Sequence, residues 1–261
     1  QALPTGPAQG AIRPTITFSK PVVALGTVEV EKARAAPAVI EPALPGEWKW
    51  LGSASVEFVP TGLWPYSTRF TVTVTSGLVA LDGTRLEKPY SFSFETPRSA
   101  VQQVEPRDGW DWLTPTQAIA IVFNQGVADL GSHVHLKAGD EVWPAKVVKE
   151  IPLADEKREQ ETGRRHARAA FEERGFKDKR VRYEVAPGRP LPLDKDVTLS
   201  LASGLRGAEG PLEIGTTPTW RFRTYGPMKV TSARACLSTG GCPYGPVVLL
   251  TTTPAAAKSL R

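Results

Sequence analysis

Few side chains in this 261-residue chain are equipped for chemistry: two cysteines, three histidines (His133, His135 and His166) and seven tryptophans. Cys236 and Cys242 enclose five residues that include Gly240 and Gly241. Two glycines let the backbone turn tightly enough to bring the sulfurs within bonding range. As the only cysteines they are read as one disulfide, which points to an oxidising compartment. A metal site would need more ligands nearby, and no histidine lies in that segment. His133 and His135 alternate on an expected strand, which would put both imidazoles on one face. His166 sits far away in a charged stretch, so no third ligand is defined and no metal is expected. There is no Gly-x-Ser-x-Gly elbow, no Gly-x-x-x-x-Gly-Lys loop and no Gly-x-Gly-x-x-Gly turn. Neither a catalytic residue nor a nucleotide or other cofactor is therefore expected.

The tryptophans are Trp48, Trp50, Trp64, Trp110, Trp112, Trp143 and Trp220. Trp48 and Trp50, two apart, share one face of a strand, and Trp220 alternates with Phe222. Core and junction packing account for most of them. Exposed neighbours among them would instead form a platform of the kind that binds sugars.

Those side chains must be positioned by short strands. The chain holds 24 prolines and 23 glycines, punctuation that argues against a helical bundle and for strands joined by turns. Apolar and polar residues alternate at 15–18, 28–30, 48–50, 56–58, 70–74 and 90–94, with turn residues between, the pattern of sheets with one buried face. No apolar run is long enough to span a membrane, and any export signal is expected to lie outside this chain. The net charge is +5. The basic excess concentrates in a stretch from Asp155 to Arg182 that is thickly interleaved with carboxylates, unlike a nucleic-acid-binding face. Nucleic acid is therefore not an expected partner.

The chain also resembles itself. Thr15–Val22 corresponds to Ala120–Val127, Arg69–Leu78 to Asp196–Leu205, and Tyr90–Pro97 to Thr219–Tyr225. Both Ser-Gly-Leu triplets precede a hairpin-like stretch, Asp82-Gly83-Thr84 in one and Ala208-Glu209-Gly210-Pro211 in the other. The expected organisation is a linker over 1–10, one β-sandwich over 11–98, and a second over 99–226. The second carries a charged insertion at 155–179 whose composition favours helix. Residues 227–261 read as the incomplete start of a third β domain, too short to bury its own core.

The stretches Ile40-Glu-Pro-Ala-Leu-Pro-Gly-Glu-Trp-Lys-Trp50, Ser55-Val-Glu-Phe-Val-Pro60 and Leu63-Trp-Pro-Tyr-Ser-Thr-Arg-Phe70 resemble the Ig-like unit near the start of bacterial α2-macroglobulins. Pro187–Leu193 and Ser203–Leu212 carry matching features in the second unit. The fold class expected is thus all-β, tandem Ig-like sandwiches with a short helical insertion in the second. The resemblance implies a non-catalytic scaffold of a large exported envelope protein, periplasmic or in the outer envelope. It also implies a lipid anchor outside this chain, the remaining domains of the same protein as partners, and proteases as targets of the whole. Neither cysteine is followed by the Gly-Glu-Gln that a thioester needs. The alternative is an adhesion or glycan-binding module at the cell surface.

Overall fold

The computed structural model describes residues 1–8, 12–24, 36–153, 179–234 and 248–253. The first half is built from β1 (Ala2–Leu3), β2 (Gly6–Pro7), β3 (Thr15–Thr17), β4 (Ala38–Glu41), β5 (Gly46–Trp50), β6 (Ser55–Pro60), β7 (Arg69–Val74) and β8 (Tyr90–Glu95). These strands form two four-stranded sheets, ordered β1-β3-β6-β5 and β2-β8-β7-β4. Along β7, Phe70, Val72 and Val74 are buried while Arg69 faces solvent, because successive side chains of a strand point to opposite faces. Phe70 and Phe94 stack with centroids 5.5 Å apart, and Trp64 meets both edge-on at 5.0 and 5.4 Å.

The Gly-x-Trp-x-Trp stretch is strand β5, and its side chains serve packing. A Cβ on Gly46 would overlap the Phe58 ring and the backbone of β6. Glycine there lets Trp48 lie against Phe58 at 5.2 Å and Trp50 against Phe18 at 6.0 Å, geometries that favour aromatic pairs.

The second half comprises β9 (Val101–Glu105), β10 (Trp110–Leu113), β11 (Ile119–Phe123), β12 (Val127–Ala128), a one-turn helix α1 (Leu130–His133), β13 (Val134–Ala138), β14 (Glu141–Trp143), β15 (Ala145–Pro152), β16 (Val181–Pro187), β17 (Asp196–Leu201), β18 (Arg206–Gly207) and β19 (Thr219–Thr224). Its main sheets run β9-β11-β16-β15 and β10-β19-β17-β13-β14, with β12 paired to β18. All five residues of β11 are buried. The outward Ala120 and Val122 are roofed by an ion pair across the strand, Arg182 Nη1 to Glu105 Oε2 at 2.9 Å, whose long stems cover apolar surface. Tyr183 reaches into the core and its hydroxyl accepts the Val127 N–H at 3.0 Å. Burial pushes its phenol up to about 12, with the nearby Glu150 carboxylate adding to the rise.

The two halves share one strand order. β1, β2, β3, β4, β5, β6, β7 and β8 occupy the places of β9, β10, β11, β13, β15, β16, β17 and β19. The only parallel pairings are β2 with β8 and β10 with β19 among the described residues. The three sequence correspondences fall on β3/β11, β7/β17 and β8/β19. One cross-strand ion pair is even kept with its charges exchanged: Arg69 to Glu95 in the first sandwich, Asp196 to Arg223 in the second.

A last pair, β20 (Val230–Arg234) and β21 (Val248–Thr251), repeats the register of β9 and β11. Glu105 opposite Ala120 becomes Arg234 opposite Val248, and Val104 opposite Ile121 becomes Ala233 opposite Leu249. Both pairs carry an irregularity at the same end, before Val101–Phe123 and Val230–Thr251.

The structure corrects two expectations. Residues 1–8 are not linker: β1 pairs with β3, β2 with β8, and Ala2 and Ala8 belong to the first core. Two-residue strands are too short to show an alternating pattern, so only their Pro/Gly-rich composition is readable. His133 and His135 do not share a strand face. His133 ends α1, with Nδ1 3.0 Å from the Asp129 carbonyl, and only His135 lies on β13. Cys236 and Cys242 lie outside the described residues, as does the insertion at 155–179 except for Lys179.

Candidate functional site

The most densely constrained polar region joins the two sandwiches. The loop after β6 ends in a corner at Ser67, whose backbone is left-handed at φ 51°, a conformation uncommon for a residue with a side chain. It is held in place from three directions. The Ser67 N–H donates to the Pro97 carbonyl at 2.9 Å, the Ser67 carbonyl accepts the Leu212 N–H at 2.9 Å, and the Ser67 hydroxyl donates to Gln125 Oε1 at 3.3 Å. Gln125 is itself buried and donates from Nε2 to the Pro97 carbonyl. The hairpin after β17 supplies Glu209, whose Oε2 accepts the Tyr66 N–H at 3.0 Å while Oε1 pairs with Lys179.

Two glycines let that hairpin seat. A Cβ on Gly207 would lie 2.6 Å from Gln125 Oε1 and 2.8 Å from Ser67 Cβ, and one on Gly210 would collide with the Ser67 carbonyl itself. Tyr66, Ser67 and Thr68 are buried as a result. This buried turn is the centre of an interface whose backbone groups are paired, as burial requires.

Beside this corner runs a cleft of about 510 Å³ lined by Tyr66, Glu95, Pro97, Ser99, Gln102 and Thr216 among others. Its one buried carboxylate is Glu95. Burial alone would raise its pKa, but hydrogen bonds from Arg69 (3.0 Å from Nε) and Arg98 (2.8 Å from Nη2) outweigh burial and hold it below the usual carboxylate range. A carboxylate clamped by two guanidiniums is neither a base poised near neutral pH nor a proton donor. Its stabilising effect is present above the pKa of the unfolded chain and is lost as pH falls through the lowered folded value. Glu95→Gln should destabilise the protein at pH 7 by roughly 1–2 kcal/mol, modest because both arginines are partly in water. The difference from wild type should vanish as the pH is taken down through the carboxylate range. Urea titrations from pH 7 to pH 2 check this; a difference that persists unchanged at the acid end would contradict the assignment.

Elsewhere the side chains singled out by type are dispersed. His135 is exposed on β13, and no group of three His, Cys, Asp or Glu able to hold a metal occurs among the described residues. Trp64 and Trp143 are buried, and Trp48, Trp50 and Trp220 pack half-buried on the two cores. Trp143 donates from Nε1 to the Arg189 carbonyl at 2.9 Å and carries the Arg189 guanidinium 3.7 Å over its ring. Trp110 and Trp112, on the edge strand β10, remain 37% and 44% exposed. Tyr66, Ser67, Gln125 and Glu209, which make the junction, carry no sequence signal beyond the turn at Glu209-Gly210.

Known proteins can be set against this geometry. Residues 4–96 match the family described as the bacterial Ig-like domain. This region is Ig-like. Among solved structures, the chain is similar to an L,D-transpeptidase from Mycobacterium tuberculosis H37Rv, at 21% identity over 58% of this chain and 62% of that one, with a TM-score of 0.27. It is similar also to L,D-transpeptidase 3 from Mycobacterium tuberculosis, at 18% identity over 58% of this chain and 64% of that one, with a TM-score of 0.26. The chain thus spans less than two thirds of the length of these structures. No curated protein matches it. The second sandwich repeats the strand order of the Ig-like region, and no helix among the described residues is long and apolar enough to cross a membrane.

Proposed function

We propose that this chain is a non-catalytic scaffold: Ig-like units joined into a stiff arm that presents other parts of a larger envelope protein of the α2-macroglobulin type. The observation that carries the reading is the junction. Hydrogen bonds from Ser67, Tyr66 and Gln125 and the close seating of Gly207 and Gly210 tie one sandwich to the next. Units free to swing would not need such seating, since loosely joined domains show smaller, more open contacts. The ionisable groups at the junction neutralise one another, so they serve position rather than reaction. The α2-macroglobulin setting rests on the stretch from Ile40 to Phe70, where Gly46, Trp48 and Trp50 pack strand β5 on its neighbours. In that setting the protein is exported, its partners are the other domains of the same polypeptide, and proteases engage the whole molecule.

A second reading, a glycan-binding module, is favoured by one observation, the exposed Trp110 and Trp112 on β10. Stacking on sugars would quench their fluorescence. Titration with soluble peptidoglycan fragments and neutral oligosaccharides to millimolar concentration separates the two. The scaffold reading expects no saturable quench. A saturable one that disappears in the Trp110→Ala, Trp112→Ala double variant would replace it with glycan binding. Limited proteolysis of the full-length protein tests the family setting: an attacking protease should cut a distant segment and compact the molecule while residues 1–224 stay intact.

A further inference from the structure

The corner at Ser67 has a twin. In the second sandwich the loop after β16 ends at Asp194, left-handed at φ 55°, and its surroundings are built the same way. The Asp194 N–H donates to the Tyr225 carbonyl at 3.0 Å, as Ser67 donates to Pro97. The Lys195 N–H donates to Thr224 Oγ1 at 3.0 Å, as Thr68 donates to Thr96 Oγ1 at 2.9 Å. The Thr224 N–H returns a bond to the Lys195 carbonyl, as Thr96 does to Thr68. The difference is cover. Ser67 is 0% exposed under the hairpin of the next unit, whereas Leu193, Asp194 and Lys195 are exposed, Leu193 by 41%. Among the described residues no group bonds the Leu193 N–H or the Asp194 carbonyl, the counterparts of the two backbone groups that Glu209 and Leu212 engage in the first junction.

The chain leaving each corner is copied as well. Asn124 accepts the Ala100 N–H on Oδ1, donates from Nδ2 to the Arg98 carbonyl and donates its own N–H to the Ala100 carbonyl. Thr252 does all three one unit later. Its Oγ1 accepts the Lys229 N–H at 2.8 Å and donates to the Pro227 carbonyl at 2.7 Å, and its N–H donates to the Lys229 carbonyl at 2.9 Å. Thr253, in the place of buried Gln125, is buried as well. With the shared register, β20 and β21 stand where β9 and β11 stand at the opening of the second sandwich. As a two-stranded hairpin with Val230, Leu249 and Leu250 exposed, they need further strands to be stable.

We propose that the Leu193–Asp194–Lys195 corner is the docking site for the second unit's successor, the sandwich begun by β20 and β21. The occupant is that unit's own hairpin, carrying a carboxylate followed by glycine. The chemistry is set by the first junction. The carboxylate accepts the Leu193 N–H as Glu209 accepts that of Tyr66, and glycine is required where any Cβ would strike the Asp194 carbonyl. Arg223, bonded to both Asp194 and Asp196 at 2.8 and 2.7 Å, offsets one of their two charges and the adjacent Lys195 offsets the other, which limits repulsion of an incoming carboxylate. This inference rests on the reading of the chain as tandem scaffold units and adds how successive units are set at a fixed angle.

Hydrogen exchange resolved to single amides, on residues 1–261 and on the natural full-length protein, tests it. The Leu193 amide should exchange as a free amide in the shorter chain and at least about tenfold more slowly in the full-length protein, approaching Tyr66. Leu193→Asp should leave the melting of residues 1–261 unchanged, since the side chain is exposed, and should enlarge the scattering radius of the full-length protein. A folded unit after β21 with an unprotected Leu193 amide overturns the docking and leaves the scaffold reading standing. The absence of a folded unit there overturns the proposal too. Failure of the scaffold reading shows separately, as saturable glycan binding.

Discussion

Gly210→Ala will separate the two sandwiches while leaving each of them folded. The added methyl meets backbone, the Ser67 carbonyl, rather than the yielding end of a side chain. The hairpin can therefore accommodate it only by lifting off. Lifting breaks the Leu212 N–H bond to the Ser67 carbonyl and the Tyr66 N–H bond to Glu209, and it opens buried Ser67 and Tyr66 to water. Steric overpacking and the lost hydrogen bonds together amount to roughly 3 kcal/mol, or about a hundredfold in the docking equilibrium. The Tyr66 and Leu212 amides should lose protection by that factor, and small-angle scattering should show a longer, more variable molecule. The core strands β7 and β17 should keep their protection, because neither is touched. An unchanged scattering profile together with unchanged Tyr66 exchange would mean that the corner does not hold the units together.

Trp64→Ala will unfold the first sandwich at ordinary temperatures or nearly so. The indole is 2% exposed, meets Phe58, Phe70 and Phe94, and donates from Nε1 to the Ile12 carbonyl at 3.1 Å. Truncation leaves a void between the sheets and an unpaired buried carbonyl, a loss of about 3–5 kcal/mol. For a unit of this size each kcal/mol shifts the midpoint by about 4–8 °C, so the first calorimetric transition should fall by roughly 15–30 °C. The matching change at an exposed position, Trp112→Ala, should stay within about 0.5 kcal/mol. Similar small losses for both variants would contradict the packing described for the first core.

The strands with the clearest alternation in sequence are those at the centre of the sheets. β7, β8, β17 and β19 carry aromatic or branched residues on every second position, and each lies between neighbours on both sides. The Ser-Gly-Leu triplets mark the same turn in both units because Gly77 and Gly204 sit at φ 88° and 87°, a backbone that favours glycine. β1 and β2 escaped for the opposite reason, two residues being too few to show a period. His133 escaped because a one-turn helix interrupts what reads as a continuous strand.

The junction was not legible, and the reason is distance along the chain. Tyr66 and Glu209 are separated by 143 positions, and neither residue type announces a partner. Gly210 reads as an ordinary turn glycine, yet what forbids a side chain there is the carbonyl of Ser67 in the other sandwich. Local alternation and turn chemistry thus determine, from sequence alone, that this protein is made of repeated β-sandwiches, since each strand's pattern answers only to its own sheet. Which corner is covered and which stands open, Ser67 buried and Asp194 bare, is decided by how whole units stack. That depends on shapes and unpaired backbone groups that exist only once both units have folded.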